Sequence, residues 1–113
     1  MAYRAKRKFL RHIQREAVKI LSTAGTEYAT YEDLSAGGLK LWTDHEILPS
    51  TILNLEFSVR EPDQRLMRIN VIGRVVRCFH SHQGFEIGVE FLNLRAPTRL
   101  AMEKLFDVGE GPF

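Results

Sequence analysis

The sequence predicts a mainly all-β protein, a six-stranded antiparallel β-barrel with a C-terminal α-helix. Three observations carry that prediction. The stretch Thr51–Val59 alternates without a break, with Leu53, Leu55, Phe57 and Val59 on one side and Ile52, Asn54, Glu56 and Ser58 on the other. About six such strands follow one another at hairpin spacing, separated by Gly, Pro, Asp and Ser. An apolar stripe with a helical period appears only at the end, at Leu100, Met102, Leu105 and Phe106, behind a Pro97 suited to a first helical turn. The pattern is that of a small barrel whose helix covers an open end or an edge.

In chain order, Glu16–Ser22 sets Val18, Ile20 and Ser22 against Ala17, Lys19 and Leu21, as in a half-buried strand. Thr23–Glu27 is expected to turn, and Tyr28–Ser35, rich in Tyr and Thr, to form the second strand. The glycines after it break the chain, and Leu39–Thr43 makes a short third strand with Lys40 and Trp42 on one face and Leu39 and Leu41 on the other. Pro49 keeps the following segment out of a central strand before Thr51–Val59. A turn containing Pro62 and Asp63 leads into Arg65–Phe79, long for one strand, where Gly73 suggests a bulge or bend. His80–Gly84 turns the chain, and Phe85–Leu94 returns as the hairpin partner.

The chain has 113 residues, room for one domain and one core. Its net charge of +2 hides an asymmetry. Residues 1–15 carry Arg4, Lys6, Arg7, Lys8, Arg11 and Arg15 and no acid; the remainder sets ten basic residues against fourteen acidic ones, a net of −4. A basic arm, 1–15, therefore precedes a mildly acidic body, 16–113, and such an arm suits an anionic partner. The single cysteine, Cys78, has no disulfide partner, no apolar run reaches the ~20 residues of a membrane span, and the N-terminus lacks a signal-peptide core. A cytoplasmic location is expected.

Catalysis finds little support. Ser35 has no Asp/His pair at a recognisable spacing, Cys78 lies in an apolar strand, and phosphate-binding and dinucleotide fingerprints are missing. His80, His82 and Glu86 stand at a spacing similar to cupin metal motifs. No histidine follows His82, so the other half of such a site is missing; a solvated turn is the reading, with no metal and no cofactor.

Two short stretches point to a ligand. Arg7 and Arg11 stand four apart in the arm, and "DLSAGG" places Asp33 and Ser35 on one face of an extended chain, with bare backbone following at Gly37 and Gly38. Asp offers two acceptor oxygens to the N–H edge of a guanine, while an arginine fork matches the acceptor edge of the same base. Together they form complementary halves of a guanine-nucleotide site.

With these residues on the page, the chain resembles the PilZ domain family, whose RxxxR and [D/N]xSxxG motifs bind the second messenger cyclic di-GMP. "RKFLR" supplies the first with Arg7 and Arg11, and "DLSAGG" the second with Asp33, Ser35 and Gly38. "GRVVRCF", "GFEIGVEFLNL" and the final helix are similar to the later part of such a domain. Arg11 and Arg15 also stand four apart, but that frame leaves hardly any linker before Glu16. The resemblance implies a bacterial, non-enzymatic receptor in which the arm wraps over the ligand. In it Arg7 and Arg11 hold guanine edges and phosphates, and Asp33, Ser35 and Gly38 seat a base. Lys6, just before the first motif, occupies the position linked to binding one ligand or an intercalated pair, and leaves both open. Arg77 stands where many relatives carry an aromatic residue, and its guanidinium plane can also stack on a base. The implied partners are cyclic di-GMP and a downstream protein, with no nucleic acid, as a monomer or a ligand-dependent dimer. The alternative is a similar module that works through protein contacts without ligand.

Overall fold

A computed structural model of the chain describes residues 15–106. Among them six strands and one helix form: β1 (Glu16–Ser22), β2 (Gly25–Glu32), β3 (Gly38–Thr43), β4 (Ile52–Arg60), β5 (Leu66–Ser81), β6 (Gly84–Phe91) and α1 (Ala96–Phe106). The strands close into an antiparallel barrel in the order β1-β2-β3-β6-β5-β4. Sequence alternation becomes inside and outside. Leu53, Leu55, Phe57 and Val59 of β4 are buried, with Val18, Leu41, Val71 and Ile87 in the same core. The expected mainly-β barrel with a C-terminal helix is the fold.

Several boundaries differ from expectation, each for a local reason. The first turn is only Thr23–Ala24, because Ser22 Oγ accepts the Ala24 N–H and donates to the Gly25 carbonyl, letting β2 start at Gly25. That strand stops at Glu32, since Asp33 takes a left-handed φ of 56°. At the far hairpin β5 continues through His80 and Ser81, where His80 stacks on Phe85 with ring centroids 4.5 Å apart; only His82 and Gln83 remain to turn. β6 ends at Phe91, short of Leu94.

The irregularity expected at Gly73 falls later. Gly73 pairs regularly with Leu53 and Phe91, and the register slips between Val75 and Arg77. The 48–51 loop bonds to Val75 on both sides of its peptide, through Ser50 N–H to the Val75 carbonyl and Val75 N–H to the Thr51 carbonyl. The strand is held there, and Val76 is pushed outward to 47% exposure.

Helix α1 docks through Met102, which is wholly buried, and Leu94 and Leu105 are partly buried against the same core. Leu100 does not join the stripe. Two residues from Met102 it lies about 200° away round the helix, and it is 58% exposed. No described helix is long and apolar enough to cross a membrane.

Candidate ligand-binding site

The β2–β3 connection is built around a left-handed residue and two glycines. Asp33 turns the chain out of β2 and stays exposed, while Leu34 and Ala36 drop into the core. Ser35 closes the turn on itself: its N–H donates to the Gly38 carbonyl at 2.9 Å, and its hydroxyl accepts the Gly37 N–H at 3.2 Å. Gly38 then meets β6 so closely that a Cβ would stand 2.0 Å from the Val89 carbonyl oxygen. The close approach expected of this glycine is thus made by the barrel's own backbone. Because Asp33 is left-handed, the segment is not the uniform extended strand of the sequence reading.

Beside this turn, the register lines up outward-facing positions across four strands. Glu32 pairs with Lys40, Lys40 with Gly88, and Gly88 with Arg77. Strands lie about 4.8 Å apart, so Lys40 and Arg77 stand roughly 10 Å from each other with a glycine between them. Arg77 leans into that space; a Cβ on Gly88 would meet its Cγ at 3.1 Å and its Cζ at 3.2 Å. Arg77 is therefore a guanidinium laid over bare backbone on the outer face that also carries Lys40.

Lys40 is the electrostatic centre. Its ammonium lies 3.1 Å from Asp33, 3.5 Å from Glu32 and 3.6 Å from Glu86. Partial burial works to lower its pKa, but the hydrogen bond to Asp33 and the charges of Asp33, Glu86 and Glu32 outweigh it, and the pKa sits above the usual lysine range. One cation thus serves three carboxylates. Two residues along β3 from Lys40, Trp42 pairs with Thr30 and Glu86, and Arg15 lies over its ring with Cζ 3.9 Å from the centroid.

Of the residues singled out in the sequence, Asp33, Ser35 and Gly38 share one turn, and Arg77 stands across the adjoining face. Lys6, Arg7 and Arg11 lie outside the described residues. Sequence reasoning missed Lys40, Glu32, Glu86, Gly88 and Arg15 as parts of this face. For Lys40 a signal existed, since alternation set it beside Trp42; for Glu86 and Gly88 only strand pairing reveals the neighbourhood. His80, His82 and Glu86 are not the metal-like group of the described residues. Glu27, Asp44 and His45 come closest, with ligand atoms within 4.8 Å of one another, mostly exposed. A groove of about 350 Å³ opens on another side, over the β1–β4 seam and lined by Ala17, Tyr28, Ser58 and Leu66; no motif residue borders it.

The chain is thus a closed six-stranded barrel with a docked helix and a polar turn between β2 and β3 on its outer face. A model of the PilZ domain matches residues 5–107, and the chain belongs to the PilZ domain family, a family of cyclic di-GMP receptors and adaptor modules. No curated protein matches the sequence. The solved structure of the Bacillus subtilis inhibitor of motility (MotI/DgrA) is similar, with a TM-score of 0.70 at 17% identity over 79% of this chain and 44% of that one. This chain spans less than half the length of that protein, and the likeness is one of fold.

Proposed function

We propose that the chain is a non-enzymatic cyclic di-GMP receptor that binds the nucleotide on the β2–β3–β6–β5 face and passes the signal to a partner protein. The observation that carries this reading is the placement of Asp33. Its carboxylate is exposed at the head of the motif turn, held at 3.1 Å by a lysine that two other acids also approach. Asp33 can turn one oxygen to the N–H edge of guanine while keeping Lys40, so accepting the base does not strip it of its cation. Ser35 and Gly38 hold the turn in shape beneath the base, and Arg77 offers a flat cation across Gly88. Arg7 and Arg11 bring forks for the acceptor edge and the phosphates, and Lys6 adds charge beside them. Ordering of the arm on the nucleotide alters the surface that a partner reads.

Calorimetric titration of the full chain tests this, with GTP and cyclic GMP as controls. Binding in the micromolar range or tighter, about −8 kcal/mol or better, is expected for cyclic di-GMP alone. Arg7→Lys or Arg11→Lys keeps the charge and loses the fork, and each is expected to weaken binding by about 1–3 kcal/mol. A flat titration with protein folded by circular dichroism overturns the reading.

A further inference from the structure

We infer that Glu27, Asp44 and His45 form a binding site for one divalent transition-metal ion, of which Zn²⁺ fits best, at the open end of the β2–β3 hairpin. β2 and β3 pair from Glu32 opposite Lys40, next to the motif turn, to Thr30 opposite Trp42. Beyond that the pairing stops, although β2 extends back to Gly25 and β3 on to Thr43. Continued in the same register, the ladder would set Glu27 opposite His45 and Tyr28 opposite Asp44. The backbones have parted there, yet the side chains of Glu27, Asp44 and His45 still converge. Their ligating atoms all lie within 4.8 Å of one another, and no other such group of His, Cys and carboxylate side chains occurs among the described residues.

The hydrogen bonding of His45 is that of a metal ligand. Its Nδ1 lies 3.2 Å from the Glu46 carbonyl, which can only accept, so Nδ1 carries a proton and donates. In the neutral ring the lone pair is then on Nε2, and Nε2 faces the Glu27 carboxylate, another acceptor. Two acceptors that face each other need a cation. A proton serves that pair alone and leaves Asp44 as a neighbouring charge, whereas a metal ion engages all three groups. An imidazole whose second nitrogen donates to a backbone carbonyl is the usual setting of a metal-bound histidine. Zn²⁺ takes imidazole nitrogen and carboxylate oxygen at about 2.0–2.2 Å, which sets its ligand atoms about 3–4 Å apart. Asp44 and His45 are exposed, so their side chains can turn by the small amount required. Mg²⁺ and Ca²⁺ favour all-oxygen sets, and the imidazole selects against them. Thr43 steadies the peptide that carries the ring, its buried hydroxyl donating to the His45 carbonyl at 2.7 Å. The ion thus ties β2 to the end of β3 where backbone hydrogen bonds do not.

The test uses the full chain without an affinity tag, freed of metal by a chelator and titrated with ZnCl₂ at about pH 7.5, where an ordinary imidazole is mostly neutral. Calorimetry is expected to show one Zn²⁺ per chain and no binding of Mg²⁺ from MgCl₂. Asp44→Asn, which leaves the contact of His45 with Glu27 in place, is expected to weaken Zn²⁺ binding about 10-fold or more, and His45→Gln at least as much. His82→Gln is expected to leave it unchanged. In NMR spectra Zn²⁺ is expected to move the ring signals of His45 and not those of His80 and His82. Zn²⁺ is also expected to raise the thermal unfolding midpoint of the wild type, and not that of Asp44→Asn. Affinity unchanged in Asp44→Asn leaves only a proton-bound pair and overturns the site. Binding lost in His82→Gln moves the ion to the far hairpin and overturns it as well. So does equal binding of Mg²⁺, the mark of diffuse negative charge, or a His45 signal that stays in place at millimolar Zn²⁺.

Discussion

Asp33, Ser50 and Gln64 are the non-glycine residues that hold a left-handed φ among the described residues, and the turns of Asp33 and Gln64 handle their acids in opposite ways. In the β4–β5 turn, Gln64 has a φ of 75°, and the segment closes on itself. Glu61 and Arg65 bond through their backbones, Arg60 donates to the Gln64 carbonyl, and Asp63 takes both the backbone N–H and the guanidinium of Arg65 two residues on. The β2–β3 turn closes its backbone as well, through Ser35, Gly37 and Gly38, but its acid looks outward. Asp33 finds Lys40 on the next strand, a lysine already shared with Glu32 and Glu86. A turn that only reverses the chain satisfies its charge within itself. One whose carboxylate shares a distant cation with two others can take on a new donor with little rearrangement, and this sets Asp33 apart from Asp63 as a ligand group.

The sharpest way to break the comparison is through the backbone that holds the β2–β3 turn. Gly38→Ala would put a Cβ 2.0 Å from the Val89 carbonyl oxygen, with Val89 C and Glu90 Cα within 3.2 Å, all of them strand backbone that cannot step aside. A loss of about 3 kcal/mol or more is expected in urea denaturation. At Gly37 the nearest atom to such a Cβ is Ser35 Oγ at 3.8 Å, so Gly37→Ala should cost less than about 1 kcal/mol. Equal costs at the two neighbours would mean that β3 and β6 are not pressed together at Gly38.

Charge gives the next effect. Lys40→Met leaves three carboxylates, the partly buried Glu32 and Glu86 and the exposed Asp33, around a missing cation, and a loss of about 1–2 kcal/mol is expected. Arg65→Ala removes a guanidinium that is 77% exposed from a half-exposed partner, and less than about 0.5 kcal/mol is expected. Urea denaturation of both variants at low and high salt settles the order. A larger loss at Arg65 would make the self-contained turn the critical one and remove the special standing of Lys40.

How much of this was legible in the sequence depends on the range of the interaction. Alternation alone placed Leu53 to Val59 inside and set Lys40 beside Trp42, because side-chain direction in a strand is a local property. The motif turn was legible as a sequence of residue types, yet the physical work of Gly38 was not: its crowding comes from Val89, fifty-one positions away, and appears only when β3 pairs with β6. The slip near Val75 is set by the 48–51 loop, so no reading of β5 by itself could locate it. Lys40 with Glu86 and Arg15 with Trp42 are likewise products of pairing. Leu100 shows the opposite failure, an apolar residue counted into a helical stripe although its angle from Met102 excludes it.

The smallest expected effect lies at the other end of the β2–β3 hairpin, where a charge pair is neither shared nor buried. His45, just after β3, places Nε2 against the Glu27 carboxylate of β2 and Nδ1 3.2 Å from the Glu46 carbonyl. Both ring nitrogens donate only when the imidazole is protonated, so the fold favours the cation. The hydrogen bond to Glu27 leads, the Glu46 carbonyl follows, slight burial opposes, and the charges of Glu27 and Asp44 add; the pKa rises above its ordinary value. A histidine whose pKa is raised by folding stabilises fully below the unfolded value of about 6.5, and that contribution fades as pH climbs through the folded pKa. With His45 and Glu27 half-exposed, the amount is screened to about 0.5 kcal/mol or less. Urea denaturation at about pH 6 and about pH 8 should therefore show a slight loss at the higher pH, after allowing for the other ionisations through Glu27→Gln, which flattens this part of the slope. An NMR titration of His45 should show its pKa falling toward the ordinary value in Glu27→Gln. If the His45 titration is unmoved by that substitution, Glu27 is not what holds the ring, and the open end of the hairpin is set by Thr43, whose hydroxyl donates to the His45 carbonyl at 2.7 Å.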